Sequence, residues 1–255
     1  MASQMIFEHP LNERVRTFLR LEHLFEKVGY FAPQPEHWNT RAGIEGLLDI
    51  LAITARADIK TELLKEIDRN LWTLARFGDQ PGVDTKALRG IMSELEQAAA
   101  GMLDIQGPIG ADARENEFLK AISQRNAIPG GACSFDLPHY HFLLTQPEDV
   151  RAERMSNWLT PMQPVSSAVG LLLSLARTSA SPRQMVAENG FFQEALDPQA
   201  PAQLVRVGIS PDLSLFPEIS GHKNRFSIRF MLADGVARPE QVREELEFSL
   251  TCCVF

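Results

Sequence analysis

The chain has 255 residues and 28.5 kDa, with 44% hydrophobic and 23% charged residues, the make-up of an ordinary globular protein. Asp plus Glu (33) exceeds Lys plus Arg (25), and the formal net charge of −8 excludes a general nucleic-acid binder, which needs a basic surface to displace counterions from phosphates. No stretch reaches the roughly 18 consecutive apolar residues of a membrane span, and the first residues lack the basic and apolar regions of a signal peptide, so a cytoplasmic protein is expected.

Helical periodicity dominates up to about residue 128. Residues 5–8 form a short strand-like start, which Pro10 breaks. Asn12 can cap a helix in which Val15, Phe18, Leu19, Leu21, Phe25 and Val28 recur near the helical period, with Gly29 as its stop. A second helix is predicted over 40–56, with Ile44, Leu47, Leu48 and Leu51 inward. Asp58 can cap a third, with Leu63, Leu64, Ile67, Leu71 and Leu74 as its apolar stripe and Glu62, Lys65, Glu66 and Arg69 as its solvated face. Helices over 84–100 and 112–124 complete this part.

Ile128-Pro-Gly-Gly131 then punctuates the chain. Residues 133–144 read as strand-like, interrupted by Pro138. Pro147 opens a helix to about 158, and 161–179 is the most apolar helix. Residues 182–192 return to strand texture around Asn189-Gly190, a strong hairpin signal. The best further strands are 204–209, 224–231 and 245–252. In the last, Leu246, Phe248 and Leu250 alternate with Glu247, Ser249 and Thr251, as in a half-buried antiparallel strand. The fold class expected is therefore α+β: a mainly helical domain over 1–128 (with 5–8 able to join the sheet), then an antiparallel β-strand domain over 129–255 with inserted helices at about 147–180.

Catalytic motifs are absent. His139 and His141 would share a face on a strand, near Cys133, but no further spaced ligand accompanies them, and half-buried histidines are the plainer reading. Cys252 and Cys253 are adjacent, and on a strand they point to opposite faces. An odd count of three cysteines fits buried thiols in a reducing compartment. No metal or cofactor is expected.

The most informative segment runs from Ile219 to Ala233 and contains no acidic residue. Within it Phe226, Ile228 and Phe230 alternate with Arg225, Ser227 and Arg229. A strand places the apolar three on one face and both arginines on the other, about 13 Å apart at roughly 3.3 Å per residue. His222 and Lys223 are expected on the preceding turn. Three readings follow from the pattern: pairing of the arginines with acidic residues on adjacent strands; a docking face for an acidic or mixed acidic–apolar peptide, whose carboxylates the planar guanidinium fork fits; and, more weakly for want of interleaved exposed aromatics, nucleic acid.

Six blocks resemble one known family. They are Ile6-Phe-Glu-His-Pro-Leu-Asn-Glu13, Arg16-Thr-Phe-Leu-Arg-Leu-Glu22, Thr61-Glu-Leu-Leu-Lys-Glu-Ile-Asp-Arg69, Ile128-Pro-Gly-Gly-Ala-Cys-Ser-Phe-Asp-Leu-Pro138, Asn189-Gly-Phe-Phe-Gln193 and Ile219-Ser-Gly-His-Lys-Asn-Arg-Phe-Ser-Ile-Arg-Phe230. In order and from end to end, with the strand closing in Cys252-Cys253, they are similar to the ZapD family of cell division proteins. The stretches 32–46, 103–112 and 196–203 carry no part of the likeness.

The resemblance implies a non-enzymatic homodimer of the bacterial cytosol, acting at the division septum. It implies a helical domain and a β-strand domain, and binding to the C-terminal tail of FtsZ, the tubulin-like GTPase of the division ring. Cross-linking and bundling of FtsZ protofilaments follow from a dimer with two such sites. On this likeness the FtsZ-binding residues are Arg225 and Arg229, with Lys223 and His222 beside them and Arg56 from the helical part. The alternatives are a generic adaptor for another acidic peptide and an enzyme centred on Cys133, His139 and His141.

Overall fold

A computed structural model describes residues 4–254 apart from 57, 79, 223 and 234–237. The architecture is α+β: helices occupy most of the first two thirds, and antiparallel strands the last third. Contacts divide the chain into two compact units, one of residues Leu19–Leu172 and one of Met1–Phe18 with Leu173–Phe255. These boundaries fall inside two helices rather than at the change of texture near 128. The first strand closes a sheet with the end of the chain, and the helices after 128 pack with those before it.

The first unit is helical. It takes in most of α1 (Glu13–Phe31), then α2 (His37–Arg56), α3 (Ile59–Ala75), α4 (Thr85–Asp104), α5 (Ala111–Glu115), α6 (Glu117–Asn126), α7 (Pro138–Leu144) and α8 (Glu148–Leu159). The starts follow local chemistry. Asn12 Oδ1 accepts from Val15 N at 2.9 Å, Asp58 accepts from Thr61 N, and Asp84 accepts from Lys86 N and Ala87 N. Gly29 does not stop α1, which continues to Phe31. The segment 112–124 is two helices, because Asn116 leaves the helical conformation to cap α6 through Phe118 N and Leu119 N.

Ile44, Leu47, Ile50, Leu63, Ile67, Leu95 and Met102 are essentially solvent-free in this unit's core. Glu66, expected on the solvated face of α3, is instead buried beside Leu63 and Ile67, and Arg69 Nη2 reaches its Oε2 at 2.7 Å. Its position three residues after Leu63 and seven after Ile59 places it on the buried face, where the arginine covers its charge. Buried Arg151 ties α8 to the start of α2: it donates to Thr40 Oγ1, to the Pro35 carbonyl and, at 3.0 Å, to the Gln146 carbonyl.

The second unit is a pair of stacked antiparallel sheets. One has the order β1 (Met5–Pro10), β4 (Ala202–Ile209), β7 (Leu246–Val254), β2 (Arg183–Ala187). The other has the order β3 (Phe191–Ala195), β6 (Arg225–Leu232), β5 (Leu215–His222). Their facing sides form one core. Phe248 of the first sheet meets Phe192 and Phe230 of the second at ring-centroid distances of 5.3 and 5.0 Å. Such aromatic pairs stabilise beyond their area burial.

Asn189-Gly190 makes the tight turn, with Glu188 and Phe191 bridged antiparallel and Phe191 N donating to the Glu188 carbonyl at 2.9 Å, but beyond it β2 and β3 pair in different sheets. Asn189 (φ 51) and Gly190 (φ 66) turn the chain out of one sheet and into the other, at a corner of the sandwich. A Cβ at Gly190 would lie 2.4 Å from the Val242 carbonyl oxygen, so the corner needs both the left-handed conformation and the missing side chain. β5 was not evident from the sequence beyond Ile219, because Pro217 and Gly221 are poor strand formers. It is an edge strand, where a proline's missing N–H disturbs no ladder.

Among the described residues, one helical run, Glu148–Thr178, has the length and hydropathy of a membrane span, and 39% of that window is buried. It is not one straight helix. A 3₁₀ turn at Thr160–Met162 separates α8 from α9 (Gln163–Thr178). The C-terminal turns of α9 belong with the sheets and lie over the four-stranded sheet. Arg177 there bonds Glu8 of β1, its carbonyl accepts from Arg206 of β4, and Ser179 just beyond accepts from Val254 N. Ser249, Thr251 and Cys253, on the β7 face away from the sandwich core, are therefore buried as well, and β7 is covered on both sides rather than half-buried.

Candidate acidic-peptide interface

The central strand of the three-stranded sheet, β6, alternates as its sequence dictates. Phe226, Ile228 and Phe230 are at most 1% exposed in the sandwich core. Arg225 and Arg229 are exposed on the opposite side, with half-buried Ser227 between them. Ladder register places their neighbours. Arg229 lies between Phe191 of β3 and Glu218 of β5, Ser227 between Gln193 and Ser220, and Arg225 between Ala195 and His222. Met231 continues the column beside Phe216. Cross-strand partners share a face, so these side chains form one outer surface.

This surface is not neutralised from within. Among the described residues, neither Arg225 nor Arg229 makes an ion pair, although Glu218 stands directly opposite Arg229 in the ladder. The acidic residue of β3, Glu194, points the other way: it pairs in register with Phe226 and binds Arg183 Nη2 at 2.9 and 3.1 Å. Reading the arginines as members of internal cross-strand pairs is thus not what the side chains do. His222 is the last residue of β5 rather than part of the turn, is exposed, and accepts from Asn224 N through Nδ1 at 3.4 Å. Lys223 lies outside the described residues. Arg56 ends α2 in the helical unit, exposed, where a cation complements the helix dipole.

The other charged cluster of this unit contrasts with it. Glu8 of β1 faces Arg206 of β4 in register, and Arg177 approaches from α9. Arg206 Nε donates to Glu8 Oε1 at 2.9 Å, while Arg177 donates to Oε1 and Oε2, each at 2.8 Å. Burial alone would raise the Glu8 carboxyl above its ordinary 4.5, but the hydrogen bonds and charges of Arg177 and Arg206 outweigh it and hold the group below that value.

The residues considered for catalysis are dispersed. Segment 133–144 is not a strand. Turns lead into α7, whose first residue is Pro138, where its missing N–H costs nothing. Tyr140, Leu143 and Leu144 bury at helical spacing, and Phe142 is 61% exposed. His139 and His141 then point about 200° apart instead of sharing a face. Both are exposed, and His139 packs edge-on against Phe118 at 4.7 Å. Cys133 is exposed rather than buried. Cys252 is half-buried and Cys253 buried, and burial pushes the Cys253 thiol up to about 11. Among the described residues, no group of three His, Cys, Asp or Glu side chains is placed to hold a metal ion.

The molecule is thus an α+β protein whose distinctive exposed chemistry is a basic sheet face. Comparison with known proteins narrows this class. Residues 19–229 match the sequence model of the family described as ZapD, cell division protein. The chain is 42% identical over 254 residues to a cell division protein ZapD of Methylococcus capsulatus, covering 100% of both chains. It is 39% identical to that of Nitrosomonas eutropha, covering 97% of this chain and 98% of the relative, and 38% identical to that of Aromatoleum aromaticum, covering 97% and 96%. The chain belongs to the ZapD family, and its role is in cell division.

Proposed function

We propose that the protein is a non-enzymatic division factor that binds the C-terminal tail of FtsZ through the outer face of its three-stranded sheet. The observation that carries this is the pair Arg225 and Arg229: exposed, on one rigid strand, without an ion-pair partner among the described residues, in a chain of net charge −8. A guanidinium fork donates two parallel hydrogen bonds to a carboxylate, and charged hydrogen bonds of this kind stabilise a complex by about 1.5–3 kcal/mol each. His222, Lys223 and, in the helical unit, Arg56 are the further residues proposed to bind the tail.

Bundling follows from symmetry. A single site on one protomer decorates a filament, whereas a homodimer presents two equivalent sites and bridges two filaments. Many tails along a polymer convert weak single contacts into avidity. The protein acts in the cytosol at the division septum, without membrane insertion, nucleic acid or cofactor. Because the contacts are exposed charges, bundling weakens as salt shortens the screening length to about 10 Å at 0.1 M.

Co-sedimentation with GTP-assembled FtsZ, beside FtsZ lacking its tail, tests the partner. The expected result is pelleting with the intact polymer alone. Equal pelleting with both polymers, or with neither, overturns the tail reading. The Arg225→Glu/Arg229→Glu double variant is expected to stay folded and lose bundling; wild-type bundling by a folded double variant removes the site from this face. Binding of unrelated acidic peptides as tightly as the FtsZ tail would make the protein a general acidic-peptide adaptor.

A further inference from the structure

The outer face of the three-stranded sheet is graded along its central strand. Going up β6, the side chains on this face are Arg225, Ser227, Arg229 and Met231, one every about 6.6 Å. Across the sheet, the rows are Ala195–Arg225–His222, then Gln193–Ser227–Ser220, then Phe191–Arg229–Glu218, and last Met231–Phe216. The order along the strand is therefore cationic, small and hydroxylated, cationic, apolar. Phe191, Phe216 and Met231 are each half-buried and gather at the Arg229 end alone. The Arg225 end carries no large apolar side chain among the described residues.

An extended peptide has the same rise per residue as the strand beneath it, and every second side chain faces the sheet. Laid along β6, its facing positions i, i+2, i+4 and i+6 coincide with Arg225, Ser227, Arg229 and Met231. Spacings of three or five residues send the second side chain to the solvent side. We infer that this face reads an extended acidic peptide in register: carboxylates four residues apart over Arg225 and Arg229, a small or hydrogen-bonding residue midway over Ser227 and Ser220, and an apolar side chain two residues beyond the Arg229 carboxylate, against Met231, Phe216 and Phe191. Charge complementarity fixes the acidic positions, and the one-sided apolar cluster fixes which end is which. Glu218 beside Arg229 makes Arg225 the stronger carboxylate anchor, and it disfavours a third acidic residue at the Arg229 end. This pattern rests on the docking face proposed above and specifies what that face selects.

The test uses the full chain and nine-residue synthetic peptides, the first three of one composition, titrated by fluorescence anisotropy at low salt. The first peptide has glutamates at its second and sixth positions, leucine at its eighth, and serine, threonine and valine elsewhere. The second moves the sixth-position glutamate to the fifth. The third moves the leucine beside the first glutamate. A fourth carries lysine in place of the sixth-position glutamate. The in-register peptide is expected to bind about tenfold more tightly than the second and several-fold more tightly than the third. Arg229→Glu is expected to reverse the preference between the first and fourth peptides, and Met231→Ser to abolish the preference between the first and third. Equal affinity for the first three peptides, with binding still lost in the Arg225→Glu/Arg229→Glu variant, overturns the register and leaves the docking face standing. Peptide binding unchanged by that double variant overturns the docking face itself. Both arginines are exposed and unpaired among the described residues, and circular dichroism verifies that each variant is folded before titration.

Discussion

The two sheets of the sandwich handle arginine in opposite ways. Arg206 of the four-stranded sheet is shared with a carboxylate that also binds Arg177, on a face roofed by the end of α9. Arg225 and Arg229 of the three-stranded sheet are exposed, and among the described residues they make no ion pair. The same residue type thus serves cohesion in one sheet and availability in the other. What separates them is not the arginine but the strand's neighbours: a glutamate in register and within reach on β1, against a ladder in which the nearest acid either faces the core side, as Glu194 does, or stands opposite without closing an ion pair, as Glu218 does.

That contrast can be broken from the largest effect downward. Phe230→Ala removes a side chain buried between both sheets and in contact with Phe248, and it should cost about 3–5 kcal/mol in denaturant unfolding. It collapses the distinction by loosening both sheets together. Gly190→Ala strikes the corner where the chain changes sheets. Left-handed strain plus the clash with Val242 should cost about 2–4 kcal/mol, read the same way.

Glu8→Ala tests cohesion alone. It removes the carboxylate that Arg177 and Arg206 share on a half-buried face and should cost about 1–3 kcal/mol at neutral pH. Its pH dependence follows from the sign of the shift. The folded carboxyl titrates below its ordinary 4.5, so its contribution is complete above that value and is lost as pH falls through the folded value. The stability gap between wild type and Glu8→Ala should therefore narrow as acid is added below about pH 4.5. A gap that is constant down to the acid transition would show that Glu8 contributes packing rather than charge.

Arg229→Ser is the smallest in stability and sharpest in function. Its thermal midpoint should match wild type, because no internal partner among the described residues is lost. If the proposed function holds, binding of the FtsZ tail should weaken more than about tenfold at low salt, and the deficit should shrink as salt rises. A large drop in thermal midpoint instead would place Arg229 among the structural charges with Arg206.

Much of this was legible in the sequence because it is local. The caps at Asn12, Asp58 and Asp84 depend on a side chain and a backbone N–H two or three residues away. The alternation of β6 depends only on the two-residue period of a strand, so the placement of both arginines on one face, opposite the apolar three, could be read before any fold was known. The same alternation misled at 133–144, where Cys133, Phe135 and Leu137 alternate with Ser134 and Asp136 and imitate a strand. Burial of Tyr140, Leu143 and Leu144 against other helices, with Pro138 as a helix start, decides for α7.

Tertiary structure alone decided what depends on a distant partner. Asn189-Gly190 specifies a tight left-handed turn, but whether its two strands pair with each other or with β7 and β6 is settled by the ladders on either side. Pro217 hides an edge strand that only its neighbour reveals. Glu66 is drawn inward because Arg69 covers it, and Ser249 and Thr251 are buried because the end of α9 lies over them. The sequence by itself determined the α+β class, the helix starts and the two faces of β6, since each follows from spacing along one segment. Which charges are paired inside the protein and which stay exposed was decided only by tertiary structure, because an ion pair requires two groups within about 4 Å, and sequence separation does not measure that distance.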